Sequence, residues 1–150
     1  MGRTMRVLLM CSWGGHISEM NRLRGAWSKY DYRFLTYRNK RTEAMDEPKM
    51  LIRHPSDTVI GYSIDIMKTL FKLCLERPDV VISTGMGYVD IVIFPFCKFV
   101  RTKTVYIESS SNIAATSNTA KLVRKFSDHF LVQWPELAEE IGAEYHGGVL

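Results

Sequence analysis

Apolar and polar positions along this chain fall into runs that alternate between two periods. Residues 5–11, Met5-Arg6-Val7-Leu8-Leu9-Met10-Cys11, are nearly continuously apolar, the pattern of a strand covered on both faces. After Ser12-Trp13-Gly14-Gly15-His16 the spacing becomes helical over 17–29, with Ile17, Met20, Leu23 and Trp27 as the apolar stripe. A weaker strand at 33–37 precedes a highly charged stretch, 38–49, that reads as a mobile surface loop, and 50–52 reads as a short strand. Helical spacing returns over 63–76. There Ile64, Met67, Phe71 and Cys74 share a face with Leu70 beside them, and Lys68 and Lys72 form a column elsewhere. Arg77-Pro78 ends that helix ahead of a buried strand, 79–83. Beyond Thr84-Gly85-Met86-Gly87 come an apolar helix over 89–100 containing Pro95, a strand at 104–107, a helix over 116–126 and a strand at 129–132. Pro135 suits the first turn of a last helix, 136–141.

Strands alternate with helices throughout, with no repeat or low-complexity linker. That order specifies one domain over 1–150, a Rossmann-like α/β fold with a doubly wound parallel sheet. Ligands of such sheets bind beyond the carboxyl ends of the strands. Loops 12–16, 84–88 and 108–115 each follow a strand, so all three are expected on one rim.

Composition narrows the field. The 150 residues, 46% hydrophobic and 24% charged, suit one globular core. The net charge of +4 is gathered in residues 1–30 and 91–130, and 131–150 are acidic. This balance fits an anionic partner and is too weak for nucleic acid. The longest apolar run, 91–97, is too short to cross a bilayer and is broken by Pro95. Met1-Gly2-Arg3-Thr4 leads into a strand without a signal-peptide pattern, so a cytoplasmic location is expected. Cys11, Cys74 and Cys97 read as buried, reduced thiols.

Four rim features carry candidate chemistry. Gly14 and Gly15 let backbone amides approach an anion at a helix start, although a tight turn explains them equally well. His16 has a pKa suited to a general base, and helix-start packing is its plainer alternative. Gly85 and Gly87, with Tyr88 after them, form a second tight turn where backbone can approach a sugar or phosphate. Glu108 leads into Ser109-Ser110-Ser111-Asn112, a group able to grip a polar ligand or to form an N-cap cluster. No metal site is expected, because Cys-x-x-Cys and His-Glu-x-x-His are absent and His16-x-x-Glu19 is a spacing chance supplies. Neither a Gly-x-Ser-x-Gly elbow nor a Cys/His pair supports covalent catalysis. Lys68 with Lys72, and Lys98 with Arg101 and Lys103, flank apolar segments. That mixture fits a peripheral membrane contact as well as a solvated helix face.

Taken in order, Ser12-Trp13-Gly14-Gly15-His16, residues 80–88, Tyr106-Ile107-Glu108-Ser109 and residues 130–136 (Phe-Leu-Val-Gln-Trp-Pro-Glu) resemble one family. It is the acceptor-side subunit of the two-component UDP-N-acetylglucosamine transferase of asparagine-linked glycosylation. The chain is similar also to PssD-type exopolysaccharide glycosyltransferase subunits and, more distantly, to the N-terminal half of MurG. The resemblance runs from about Met5 to Leu150. It implies the acceptor half of a GT-B glycosyltransferase, peripheral on the cytoplasmic face of the membrane and active only with a donor-binding partner subunit. The implied reaction moves a sugar from a nucleotide sugar to a lipid-pyrophosphate-linked saccharide with inversion, and with no cofactor. By this resemblance His16 and Glu108 are the catalytic candidates. Ser12, Gly14, Gly15, Gly85, Gly87, Tyr88, Ser109 and Asn112 would bind substrate. Eukaryotic-type subunits usually begin with an anchoring helix that this sequence does not show, which leaves amphipathic surface or a partner for recruitment. A non-catalytic membrane scaffold for a donor-binding subunit, and a nucleotide-binding enzyme acting alone, are the competing readings.

Overall fold

The computed structural model describes residues 3–149, so Met1, Gly2 and Leu150 of the readings above lie outside the described residues. Seven parallel strands form one sheet: β1 (Arg6–Cys11), β2 (Asp31–Tyr37), β3 (Lys49–Ile52), β4 (Val80–Gly85), β5 (Lys103–Ile107), β6 (His129–Val132) and β7 (Glu144–Tyr145). Their spatial order is β3-β2-β1-β4-β5-β6-β7, the doubly wound arrangement expected from the alternating pattern. In register, Leu9 of β1 stands between Phe34 of β2 and Ile82 of β4.

Alternate residues of β1 feed two separate cores, which is why its sequence is apolar without interruption. Val7, Leu9 and Cys11 pack with Ile17, Met20, Trp27 and Phe34 on one face of the sheet. Leu8 and Met10 face the larger core on the other side, built with Ile66, Leu73, Val89, Ile93, Phe94, Val123 and Leu137. The first core holds α1 (Gly15–Arg22) and α2 (Arg24–Trp27). The second holds α4 (Val59–Glu76), α5 (Tyr88–Val100), α6 (Asn118–Val123) and α7 (Pro135–Ile141).

Several expectations are corrected. The helix over 17–29 is two helices broken at Leu23. The break brings Trp27 to where its buried indole N–H donates to the Met20 carbonyl at 3.0 Å. Inside the charged stretch lies a short helix, α3 (Lys40–Glu43). Asn39 caps it by accepting from the Thr42 N–H at 2.9 Å, while the Thr42 hydroxyl accepts from the Asn39 N–H. α4 begins four residues earlier than its apolar period suggests, because Thr58 supplies its N-cap. The helix over 116–126 is α6 followed by a 3₁₀ turn at Arg124–Phe126. β7, two residues long, had no legible pattern.

The face chosen for the second helix is also corrected. In α4 the residues turned to the core are Ile66, Thr69 and Leu73, with Tyr62 and Leu70 packed against it. The stripe Ile60, Ile64, Met67, Phe71 and Leu75 points away from the sheet, with Met67 and Phe71 65% and 67% exposed. Cys74 lies on this outer side and is exposed, whereas Cys11 and Cys97 are buried, with thiols pushed by burial up to about 12.

Lys98, Arg101 and Lys103 are at the far end of the domain. α5 leaves the carboxyl end of β4 and runs back to the start of β5, which places this cluster at the amino ends of the strands. It is therefore opposite the rim. Lys98 and Lys103 instead lie 3.9 and 3.7 Å from the Asp128 carboxylate.

Candidate functional site

The carboxyl ends of β1, β4 and β5 are neighbours, and the three loops after them meet as expected. Ser12 N–H donates to the Gly85 carbonyl at 2.9 Å, and the Thr84 hydroxyl donates to the His16 carbonyl at 2.8 Å, so the first two loops are tied together. Gly14, with φ of 81°, starts α1 and gives it no side-chain cap, which leaves the first amides of that helix open toward the rim. At Gly15 φ is ordinary and an added Cβ would meet nothing within 4 Å. The fold itself thus does not require glycine there.

The start of α5 is different. Asp90, fully buried in its first turn, accepts from the Ser83 hydroxyl at 2.6 Å and from the Met86 N–H. Burial pushes its carboxyl up to about 6, with the Ser83 and Met86 bonds pulling the other way. Asp90 therefore closes the Gly85-Met86-Gly87 turn from within, and the more open helix start is that of α1. Tyr88 stands exposed at the mouth of α5.

His16 is held between Gly85 and Glu19. Its Nδ1 is buried and lies 3.8 Å from Glu19 Oε2, while the side chain as a whole remains 36% exposed. The Glu19 carboxylate raises the His16 pKa, against the opposite pull of burial, and the Thr84 backbone and the Asp90 charge add to the rise. Glu19 is buried, and its Oε1 accepts from the Ser110 N–H and Ser110 hydroxyl, both at 2.8 Å. The Ser109 hydroxyl at 3.2 Å and Gln133 Nε2 at 3.4 Å complete the set. Burial pushes this carboxyl up, but His16 and the Ser110 and Ser109 donors outweigh it and hold it down to about 2.

Glu108 directly follows β5 at the rim and is enclosed by the loop it leads into. It is 2% exposed. Its Oε1 accepts from Asn112 Nδ2 at 2.8 Å and from the Ser109 N–H at 3.2 Å, and its Oε2 accepts from the Ser117 N–H at 3.3 Å. Both oxygens thereby bond to groups within the loop 108–117. Ser109 bridges the loops by donating to Glu19.

A hollow of about 450 Å³ opens between Gly15, His16, Ser18, Glu19 and Arg22 on α1 and Ser109–Ser111 on the third loop. At its edge Arg22 donates to the Val149 carbonyl at 2.9 Å, and Val149 N–H donates to Gln133 Oε1 at 2.9 Å. Beside the first loop, Trp13 packs on His54 and Tyr37, with ring centroids 5.1 and 5.6 Å away. Sequence reasoning missed Glu19, Asp90 and Gln133. For Asp90 a signal existed, a lone acid at the start of an otherwise apolar helix. For Glu19 the signal was its place three residues after His16 on one helix, while the serine loop and Gln133 reach it from about a hundred residues away in the chain.

Among the described residues no cluster of three or more His, Cys, Asp or Glu is placed to hold a metal ion, and no helix is long and apolar enough to cross a membrane.

The fold is shared with UDP-GlcNAc 2-epimerase from Methanocaldococcus jannaschii, at a TM-score of 0.67 and 16% identity over 95% of this chain and 45% of that one. It is shared likewise with Acinetobacter baumannii MurG, at 0.64 and 16% over 87% and 42%. At that identity both likenesses speak to architecture alone. In sequence, the chain is 40% identical over 75 residues to the UDP-N-acetylglucosamine transferase subunit alg14 of Schizosaccharomyces pombe, covering 47% of this chain and 36% of the relative. To the subunit ALG14 of Homo sapiens it is 25% identical across 91% of this chain and 79% of that one. It spans only 36% and 49% of the corresponding subunits of Yarrowia lipolytica and Cryptococcus neoformans. The family described as oligosaccharide biosynthesis protein Alg14 like matches residues 53–150, which takes in β4, β5, β6 and the rim loops that follow them. On that match, the chain belongs to the Alg14 family.

Proposed function

We propose that this chain is the acceptor-side subunit of a two-component glycosyltransferase. It would work with a donor-binding subunit to move N-acetylglucosamine from UDP-N-acetylglucosamine to a lipid-pyrophosphate-linked saccharide. The observation that carries the reading is His16: an imidazole with one buried nitrogen, fixed beside an uncapped helix start, at an open rim in a chain similar to transferase subunits. In the reaction, His16 accepts the proton of the acceptor hydroxyl as its oxygen bonds to the anomeric carbon from the side opposite the leaving group. The bond from that carbon to the diphosphate breaks and its electron pair departs with UDP, so the configuration inverts. The open amides of α1 at Gly14 and Gly15 face the phosphate charge, and the hollow beside Ser109–Ser111 takes the polar part of the acceptor. Gly85, Gly87, Ser12 and Tyr88 shape the neighbouring wall. Glu108 and Asn112 act by holding the third loop in place. No step is assigned to a cofactor.

Recruitment follows from α4. Its outer stripe of Ile60, Ile64, Met67, Phe71 and Leu75 has Lys68 and Lys72 along one edge, an apolar strip with basic residues beside it that suits an anionic lipid surface on the cytoplasmic face. The same strip favours the competing reading, a membrane scaffold without chemistry of its own. The two readings separate on the rim: a scaffold tolerates loss of His16, and an acceptor-side subunit does not. Assaying sugar transfer by the chain alone and together with its donor-binding partner tests the proposal. Transfer is expected only from the pair, and turnover by the chain alone would overturn it.

A further inference from the structure

We infer that Glu19 is the positioning residue for His16, taking the Nδ1 side of the ring and leaving Nε2 as the nitrogen presented to the reacting hydroxyl. This rests on the reading of His16 as the base and adds the group that fixes its orientation and tautomer.

The two oxygens of Glu19 are used unequally. Oε1 takes all four donors from Ser109, Ser110 and Gln133. Oε2 is buried and has no hydrogen-bond partner, and neither has the buried Nδ1 of His16 that faces it at 3.8 Å. A carboxylate that only clamped the third loop would account for Oε1 and leave two orphaned polar atoms turned toward each other. Buried polar atoms are rarely left that way. An approach of about 1 Å makes the pair a hydrogen bond, and such bonds commonly tighten when substrate arrives. With its proton on Nδ1, the neutral ring carries its free lone pair on Nε2.

The rest of the surroundings agrees. Gly85 backs the ring so closely that a side chain there would collide with it, which stops rotation on that side. The groups facing His16 are Glu19 on α1, the backbone of Thr84 on β4 and the Asp90 carboxyl on α5. Arg22 lines the same hollow but is turned to the Val149 carbonyl. Of the two carboxyls, Asp90 has both oxygens occupied, one by the Ser83 hydroxyl and the other by the Met86 N–H, so Glu19 Oε2 is the oxygen free to hold an Nδ1 proton.

Nitrogen-15 NMR of the His16 ring in the full chain tests this directly. The neutral ring should show Nδ1 protonated and Nε2 free. Glu19→Gln keeps an oxygen for Ser110 and turns an amide NH₂ toward Nδ1, so the ring should switch to the opposite tautomer and its pKa should fall. In the pair with its donor-binding subunit, Glu19→Gln should lower transfer about 10- to 100-fold, and the acid limb of kcat/KM should move to lower pH. A loop clamp alone would lower the rate without moving that limb. An Nε2-protonated ring in the unsubstituted chain, or a titration unchanged in Glu19→Gln, would overturn the inference. If Glu19→Gln does not fold, the tautomer of the unsubstituted chain decides. If the tautomer is as stated and the unsubstituted pair transfers no sugar at any pH, the proposed function falls and the hold of Glu19 on His16 stands.

Discussion

The imidazole of His16 fills the space that a side chain at position 85 would need: a Cβ built on Gly85 would stand 2.9 Å from Cε1 and 3.0 Å from Nδ1 of the ring. The backbone of Gly85 also has φ of 117°, which side chains rarely allow. Gly85→Ala is therefore expected to cost about 1–3 kcal/mol of stability and to lower transfer at least tenfold by displacing the ring. Gly15→Ala meets no atom and enters a helix, so stability should stay level or rise by up to about 1 kcal/mol while anion contact at the α1 start weakens. Urea unfolding set beside transfer assays checks the contrast. Equal stability losses in the two variants would contradict it.

Glu108 tests the assignment of structural and chemical roles. Glu108→Gln replaces a carboxylate that only accepts with an amide whose NH₂ must face a donor from Ser109, Asn112 or Ser117. We expect a loss of about 1–3 kcal/mol and faster hydrogen exchange across 109–117. Full stability and slow exchange, together with abolished transfer, would make Glu108 a catalytic group instead.

Asp90 gives a pH dependence whose sign can be worked out. Its folded pKa, about 6, lies above the ordinary aspartate value, so between roughly pH 4 and 6 the folded state binds more protons than the unfolded. Its contribution to stability is greatest below that window and is lost as pH rises through it. Asp90→Asn should flatten this part of the stability–pH curve, as followed by denaturant midpoints from pH 4 to 7. A slope in the variant equal to that of the unsubstituted chain would contradict the account.

The outer strip of α4 predicts binding without folding. Ile64→Asp, Met67→Asp and Phe71→Asp together replace side chains that leave the core untouched, so each should change stability by no more than about 0.5 kcal/mol. Flotation with vesicles containing anionic lipid should be lost in the triple variant and weakened by salt in the unsubstituted chain. Undiminished flotation would remove α4 from the membrane contact.

Much of the fold was legible because a doubly wound sheet writes itself as alternating periods. Leu8, Leu9 and Met10 read as a strand buried on both faces, and they feed two cores. What failed has identifiable causes. α4 is apolar on nearly every side, so Ile64, Met67 and Phe71 matched a helical stripe as well as the true inner set of Ile66 and Leu73 did, and period alone does not say which face a neighbour covers. The break at Leu23 depends on where the Trp27 indole finds its acceptor, a matter of packing. At the site, Gly14, Gly15, Gly85 and His16 were readable from their place between strand and helix. The division of labour between Glu19 and Glu108 was not. Both are acids near glycine- or serine-rich loops, and only the folded chain brings Ser110 and Gln133 to Glu19 and Ser117 to Glu108.

In the proposed function, this chain contributes chemistry to an active site shared with its partner. Transfer from radiolabelled UDP-N-acetylglucosamine to a lipid-pyrophosphate acceptor, by the chain paired with its donor-binding subunit, tests it most directly when His16→Ala is compared with the unsubstituted chain. The variant should fold, still pair and bind vesicles, and transfer at a rate lower by about 10²- to 10⁴-fold. Near-normal transfer by His16→Ala in that pair would contradict it and leave the chain as a scaffold.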